Sequence, residues 1–207
     1  MSLDCILSIH QVLDSPIPTH ILQAATALGH PEYATIEFCL WAFMIHQKSQ
    51  NGFFAPYLSS LADVSPCPFQ WPIELLEILE GTNLASVCSD DMFSSHQSVI
   101  AELVNSDSAI FSPTDFDLNA LKWAKGHYIS RRYPNKYSLG KKRDYSEFAR
   151  ERGLDAVGAL IPLLDLLNHK PGEQRLEFEV SNGQFHVRTH IPVQAVYPRN
   201  LRFQDSL

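Results

Sequence analysis

The sequence predicts an α+β chain, a mostly helical first two-thirds followed by a small antiparallel β element. Three observations carry this. Apolar residues recur at helical spacing between caps and glycine stops through the first 130 residues. Residues 175–190 then alternate apolar and polar about Asn182-Gly183, the strongest short-range signal for a hairpin. A hydrophobic content of 45% over 207 residues is enough for a sizeable core and too much for disorder.

Taken in order, Cys5-Ile6-Leu7-Ser8-Ile9 reads as a short strand or strand end within residues 1–15, punctuated by Ser15-Pro16. A helix is expected from about Thr19 to Leu28, stopped by Gly29. Pro31 suits the first turn of the next helix, which carries Ile36, Leu40, Phe43 and Ile45 and ends near Asn51-Gly52. Phe54 to Leu61 is a short amphipathic piece. Ser65-Pro66-Cys67-Pro68 and Trp71-Pro72 form an extended, proline-fixed loop. Further helices are expected over Ile73–Glu80, closed by Gly81, and over Asp90–Val104, capped by Asp90. Thr114 is expected to cap a long helix running to Arg132, with Asp115 and Asp117 in its first turn and Pro134 as its stop. In the hairpin, Val180 should face Phe185 and Phe178 face Val187 on an apolar side. Glu179 should face His186 and Glu177 face Arg188 on the polar side.

Charge and cysteine usage narrow the function. The net charge is −7 and the only basic runs are Arg131-Arg132 and Lys141-Lys142-Arg143, so no nucleic-acid partner is expected. The longest apolar run, Phe38 to Ile45, is too short to span a bilayer, and no membrane partner is expected. Cys5, Cys39, Cys67 and Cys88 form no CxxC pair, which suits a reducing compartment and indicates no zinc site; Cys39 reads as a small core residue. Met1-Ser2-Leu3-Asp4 is a poor signal peptide, and the expected location is the cytoplasm, the nucleus or both. His186 and His190 would lie roughly 13 Å apart on a strand, too far for a metal pair. No G-x-S-x-G, H-E-x-x-H or glycine-rich phosphate loop supports a hydrolase or nucleotide enzyme.

The most informative stretch is Gly158 to Pro171. An apolar run there carries one acid, Asp165, and ends on Asn168 and His169 before Pro171-Gly172. A carboxylate, an amide and an imidazole beside an apolar run are costly to bury unless they bond to something, so the segment is a candidate ligand site.

Four segments, in order, resemble the SET-domain protein methyltransferases of the RuBisCO large-subunit lysine methyltransferase type. Asn51 to Leu61, with Pro56-Tyr57 at its centre, resembles the family's W-x-P-Y-x-x-x-L-P segment, without the tryptophan. Trp71 to Thr82 resembles W-x-x-x-E-L-x-x-L-x-G-T. Trp123 through Ser130-Arg131 resembles the helix ending in Ser/Thr-Arg, and Asp165-Leu166-Leu167-Asn168-His169 resembles D-x-x-N-H. Together they cover roughly residues 30–195.

The resemblance implies a partial SET fold. Residues 1–15 would be the end of the N-terminal strand region, 16–125 a helical insert, 126–195 the C-terminal part of the SET core and 196–207 a divergent tail. It implies S-adenosylmethionine as cofactor and a protein substrate accepting methyl on lysine. Arg131 would bind the cofactor's carboxylate, for which a guanidinium fork is suited. Asn168 would bond the amino-acid part, the backbone of His169 the adenine, and Asp165 would brace the site. The sequence departs from the pattern at both ends. The opening glycine-bearing strand segment is not matched. Val196-Tyr197-Pro198 stands where the family carries its glycine-acid-acid…tyrosine-glycine segment, leaving Tyr197 as the candidate substitute for the catalytic tyrosine. The resulting expectation is a lysine methyltransferase family member, catalytically incomplete as written. The alternative is a non-catalytic SET-like chain that binds a protein partner through its helical insert.

Overall fold

A computed structural model describes residues 3–84, 93–133, 158–166, 176–182 and 184–189. The described chain is α+β. Its helices are α1 (Ile9–Leu13), α2 (Ile17–Ala27), α3 (Ile36–Ser49), α4 (Ala55–Ser59), α5 (Ile73–Leu76), α6 (Ser94–Ser106) and α7 (Leu118–Arg131), with short 3-10 turns between several of them. Strands β1 (Leu176–Ser181) and β2 (Gln184–Thr189) form a two-stranded antiparallel sheet.

Helix α3 is the centre of the helical body. Phe38 through Ile45 are all buried, and a helix that is apolar all round has to be enclosed by others. It packs against α1, α2, α4 and α7, while α6 closes over α2 and α7. Its start differs from the expectation. Pro31 opens a separate 3-10 turn, Pro31–Tyr33, and α3 begins three residues later under Thr35, whose side chain accepts from the Phe38 amide at 3.2 Å. A hydroxyl cap satisfies an amide that Pro31 could not reach from outside the turn. Cys39 is buried in this core, and burial pushes its thiol up to about 12.

The other boundaries follow the same logic of caps. Helix α2 stops before Gly29, whose φ of +80° is the left-handed conformation that ends a helix. Residues 73–80 are not one helix: α5 gives way to a 3-10 turn over Glu77–Leu79 before Gly81, also left-handed at +79°. Helix α6 starts at Ser94; the expected cap Asp90 lies outside the described residues. Helix α7 starts at Leu118, not Thr114. Asp117 is its cap and its carboxylate accepts from the Ala120 amide at 2.7 Å, while Thr114 sits in the preceding turn and pairs with Ser112. A carboxylate at the cap also favours the helix dipole. Pro134, the expected stop, lies outside the described residues. Helix α7 can lie close to the 62–70 loop because Gly126 has no side chain: a Cβ there would come 2.5 Å from the Cβ of Ser65. Trp123 Nε1 donates to Ala62 O at 2.9 Å, and His127 Nε2 lies 2.8 Å from the same oxygen.

The expected opening strand is overturned. Leu3–Cys5 is a 3-10 turn and Ile9–Leu13 a helix, capped by a box in which Ser8 and Gln11 bond each other. Among the described residues of this segment, Leu7 alone makes an extended contact, exchanging two backbone hydrogen bonds with Leu160 at 3.0 and 2.9 Å. A capping box of this kind offers the backbone an alternative to strand pairing.

The hairpin has the expected register. Phe178 faces Val187, Glu179 faces His186 and Val180 faces Phe185, about Asn182 at φ +51°. Its two faces are less clean than the alternation suggests. Phe185 is buried against Ile6, Ala159, Ile161 and Leu164, but Val187 is exposed. Arg188 pairs diagonally with Glu179, at 3.4 Å. Among the described residues no helix is long and apolar enough to cross a membrane.

Candidate functional site

Three chain segments meet where α7 ends. Tyr133, two residues beyond that helix, pairs with Ala159 through two backbone bonds of 2.8 and 2.9 Å. Gly158 permits the approach: its φ is +74°, and a Cβ would stand 2.6 Å from Tyr133 O. Leu160 in turn bonds Leu7. The chain then turns tightly through 162–166, where Leu164 and Asp165 amides both donate to Ile161 O at 3.1 and 3.2 Å. This turn holds an unusual residue. Leu163 has φ +73° and is 75% exposed, a conformation that costs a branched side chain energy and persists only where the surroundings impose it.

The surroundings are polar contacts from three directions. Tyr133 Oη donates to Leu164 O at 3.3 Å. Arg131 Nη1 donates to Asp165 O at 3.1 Å and lies 3.9 Å from Asp165 Oδ2. Tyr57, from α4, donates its hydroxyl to the same Oδ2. The Asp165 side chain is 0% exposed and Arg131's is 25% exposed. Arg131 is thus not a solvent-facing arginine at a helix end.

Burial dominates the electrostatics. It pushes Asp165 above the usual carboxylate range, against the opposing pull of the Tyr57 hydroxyl and the Arg131 charge. It also raises Tyr57, with the Asp165 hydrogen bond and charge adding to the rise. Tyr133 rises as well, through burial first and then the Asp165 charge. The phenols therefore stay protonated and act as donors at neutral pH.

Two buried atoms at this corner make no hydrogen bond: Arg131 Nε, a donor, and Asp165 Oδ1, an acceptor. Buried polar atoms are rarely left this way without a reason. The amides of Asp165 and Leu166 lie close enough to favour the carboxylate's ionised form but do not complete a bond to Oδ1. Arg131 has spent Nη1 on Asp165, so its remaining donors include the unpartnered Nε. A carboxylate is the group that a guanidinium edge takes best. The described residues therefore offer a donor edge suited to a ligand carboxylate.

Of the residues singled out in the sequence, the structure brings Arg131 and Asp165 into contact across 34 positions. Asn168, His169 and Tyr197 lie outside the described residues. Sequence reasoning passed over Tyr57 and Tyr133 as site residues. Tyr57 did carry a signal, since it is the tyrosine of the Pro56-Tyr57 segment; Tyr133 carried none. A concavity of about 480 Å³ lies elsewhere, between α3, α7 and the 59–70 loop, lined by Lys48, Asp63, Gln70, Asp115 and Trp123 among others. Lys48 Nζ sits 4.1 Å over the Trp123 ring, so the aromatic face is already covered by a cation of the chain itself. Among the described residues no three His, Cys, Asp or Glu side chains are grouped to hold a metal ion.

Compared with known proteins, the chain matches no family model, no curated protein and no solved structure.

Proposed function

We propose that this chain is an S-adenosylmethionine-binding member of the SET-domain protein-lysine methyltransferases, and that it binds the cofactor's amino-acid end at the Arg131–Asp165 corner. The observation that supports the reading is convergence. Tyr57, Arg131 and Asp165 come from three of the four segments that carry the resemblance, and they meet in one buried polar cluster. Unrelated surface motifs have no physical reason to share a buried acid over sequence separations of 34 and 108 residues.

The cofactor supplies an electrophilic methyl group on a sulfonium, to be displaced by a neutral amine. Arg131 would hold the carboxylate through its free donors, and Asp165 would keep that guanidinium in place. Asn168, three residues beyond Asp165, would bond the amino-acid part and His169 the adenine. Alignment and exclusion of water are what such a site contributes. Because Val196-Tyr197-Pro198 stands in place of the family's tyrosine segment, we propose binding without efficient turnover, with a protein lysine as the acceptor class.

The test is calorimetric titration of the purified chain with S-adenosylmethionine and S-adenosylhomocysteine, alongside methyl transfer from labelled cofactor to lysate proteins. Binding is expected, weakened at least tenfold by Arg131→Ala or Asn168→Ala, which corresponds to about 1.4 kcal/mol. Absence of binding would overturn the reading. Turnover abolished by Asn168→Ala would overturn only the claim of inefficiency, and Tyr197→Phe would then test the substitute tyrosine.

A second reading, a partner-binding chain without catalysis, is favoured by one feature. Leu75, Ile78 and Leu84 are exposed within ten residues of the helical region, and Trp71 beside them is partly so. Clustered exposed apolar side chains mark contact surfaces more often than isolated ones do.

A further inference from the structure

We propose that Tyr57 is a positioning residue of the proposed cofactor site: its buried hydroxyl, donated to Asp165, holds the 162–166 turn in the one arrangement that locks Arg131. The inference rests on the cofactor-binding reading for its purpose, but the device itself stands on the geometry.

The chain of contacts is short. Tyr57 donates to Asp165 Oδ2, and Arg131 Nη1 lies 3.9 Å from that same oxygen while donating to the Asp165 carbonyl at 3.1 Å. One residue thus offers its backbone and its side chain to the guanidinium together, and Tyr57 determines where the side chain stands. The turn would not hold this shape unaided, because Leu163 is a branched residue at φ +73° with its side chain largely in solvent, where packing cannot compensate. Two tyrosines from different elements pin it, Tyr57 of α4 at Asp165 and Tyr133 at Leu164 O. With Nη1 committed, the unpartnered Nε of Arg131 is left to a ligand carboxylate. A guanidinium free to rotate would present that edge only part of the time, and the cost of ordering it would fall on binding.

Among the described residues, the groups facing the Asp165 carboxyl are Tyr57 from α4, Arg131 from α7 and Tyr133 from the segment that follows it. Of these described groups, only Arg131 carries charge at neutral pH. Tyr57 therefore has a second effect, because its hydroxyl favours the ionised carboxyl against burial. Tyr57→Phe removes that donor without removing the ring, so Asp165 should take up its proton at a higher pH than in the wild type.

The experiment uses the full chain in three steps. First, affinity for S-adenosylhomocysteine is measured against pH for wild type, Tyr57→Phe, Tyr133→Phe and Asp165→Asn. The wild type should show an inflection from Asp165. Tyr57→Phe should weaken binding about tenfold near neutral pH, the effect of one lost hydrogen bond to a charged group, and move the inflection upward. Tyr133→Phe, which loses its bond to the Leu164 carbonyl, should move the inflection less than Tyr57→Phe does, and Asp165→Asn should abolish it. Second, the Asp165 carboxyl carbon is followed by NMR through the same titration without cofactor. If the wild type binds no cofactor, the functional reading falls, yet the NMR titration still decides the role of Tyr57. Third, a fluorinated tyrosine placed at position 57 alone, a stronger donor, should move the inflection downward, which settles the matter should Tyr57→Phe fail to fold. An Asp165 titration identical in wild type, Tyr57→Phe and the fluorinated chain would overturn the proposal.

Discussion

Phe38, Leu40 and Met44 of α3 are wholly buried and pack in one continuous core with Leu121 and Tyr128 of α7, Ile21 of α2 and Val99 of α6. The corner around Asp165 is built otherwise. Its apolar support is a separate small cluster of Ile6, Ala159, Ile161, Leu164 and Phe185, and its precision comes from single hydrogen bonds between distant segments. The first region is stabilised by area removed from water, which is non-directional and tolerant. The second depends on a strained turn and a few directional contacts, each of which matters individually. A body that supplies stability can hold a corner that spends some of it on strain and buried charge.

The sharpest way to break the contrast is to remove one phenyl ring from each region. Phe38→Ala should cost about 3–5 kcal/mol and lower the whole unfolding transition. Phe185→Ala removes the same ring from a separate cluster of, among the described residues, only five buried side chains, and should cost about 3 kcal/mol, the low end of that range. Chemical denaturation gives the totals. Native-state hydrogen exchange should show Phe38→Ala accelerating α3 and α7, and Phe185→Ala accelerating residues 159–166 with α3 little changed.

Acid sharpens the comparison next, because the two regions respond with opposite sign. On α6, His96 lies against Phe38 at 5.0 Å, Trp41 at 5.9 Å and Phe93 at 6.1 Å. Burial, helped by the nearby Lys125 charge, lowers its pKa from 6.5 to about 4. A histidine depressed in the folded state stabilises above its unfolded pKa and loses that contribution as pH falls through the folded one, so the window is pH 6.5 to 4. Since the ring is partly exposed, the loss should be on the order of 1–2 kcal/mol. His96→Phe should flatten this part of the stability profile in urea titrations at pH 7.5 and 4.5. Asp165 runs the other way. An acid raised in the folded state contributes most below its unfolded pKa and loses that contribution as pH rises through the folded one. Exchange protection of residues 159–166, relative to α3, should therefore improve as the helical body weakens.

The smallest effect separates backbone from packing. Asp117→Ala removes the carboxylate that accepts from the Ala120 amide and should cost about 1 kcal/mol. The loss should appear as fraying at the start of α7, while Arg131 at its far end keeps its contact with Asp165, read as unchanged exchange at Asp165. Equal loss at both ends would mean that the helix and the corner unfold as one unit, and the contrast drawn between the two regions would fail.

Much of this was legible in the chain itself. The hairpin register follows from Asn182-Gly183 and the alternation on either side, because a period of two leaves no freedom once the turn is placed. The α2 stop at Gly29 and the buried α3 follow equally from local chemistry and composition. The cap of α7 was misplaced by three residues, since Thr114 and Asp117 both suit the role and only the helix's packing decides between them. Ser8 and Gln11 likewise turned an apolar opening segment from strand to helix.

At the site the division is sharper. The sequence by itself marked Asp165, because an acid in an apolar run is chemically conspicuous wherever it falls; Arg131 stood out only through the resemblance of its helix end to the SET-type methyltransferases. It did not determine that they touch, that Tyr57 reaches the same carboxylate from 108 positions away, or that Leu163 is held left-handed beside them. Those facts are tertiary. A hydrogen bond between distant segments leaves no periodicity in either, and the left-handed Leu163 lies in the turn where contacts from Tyr57, Arg131 and Tyr133, each positioned by its own element, converge.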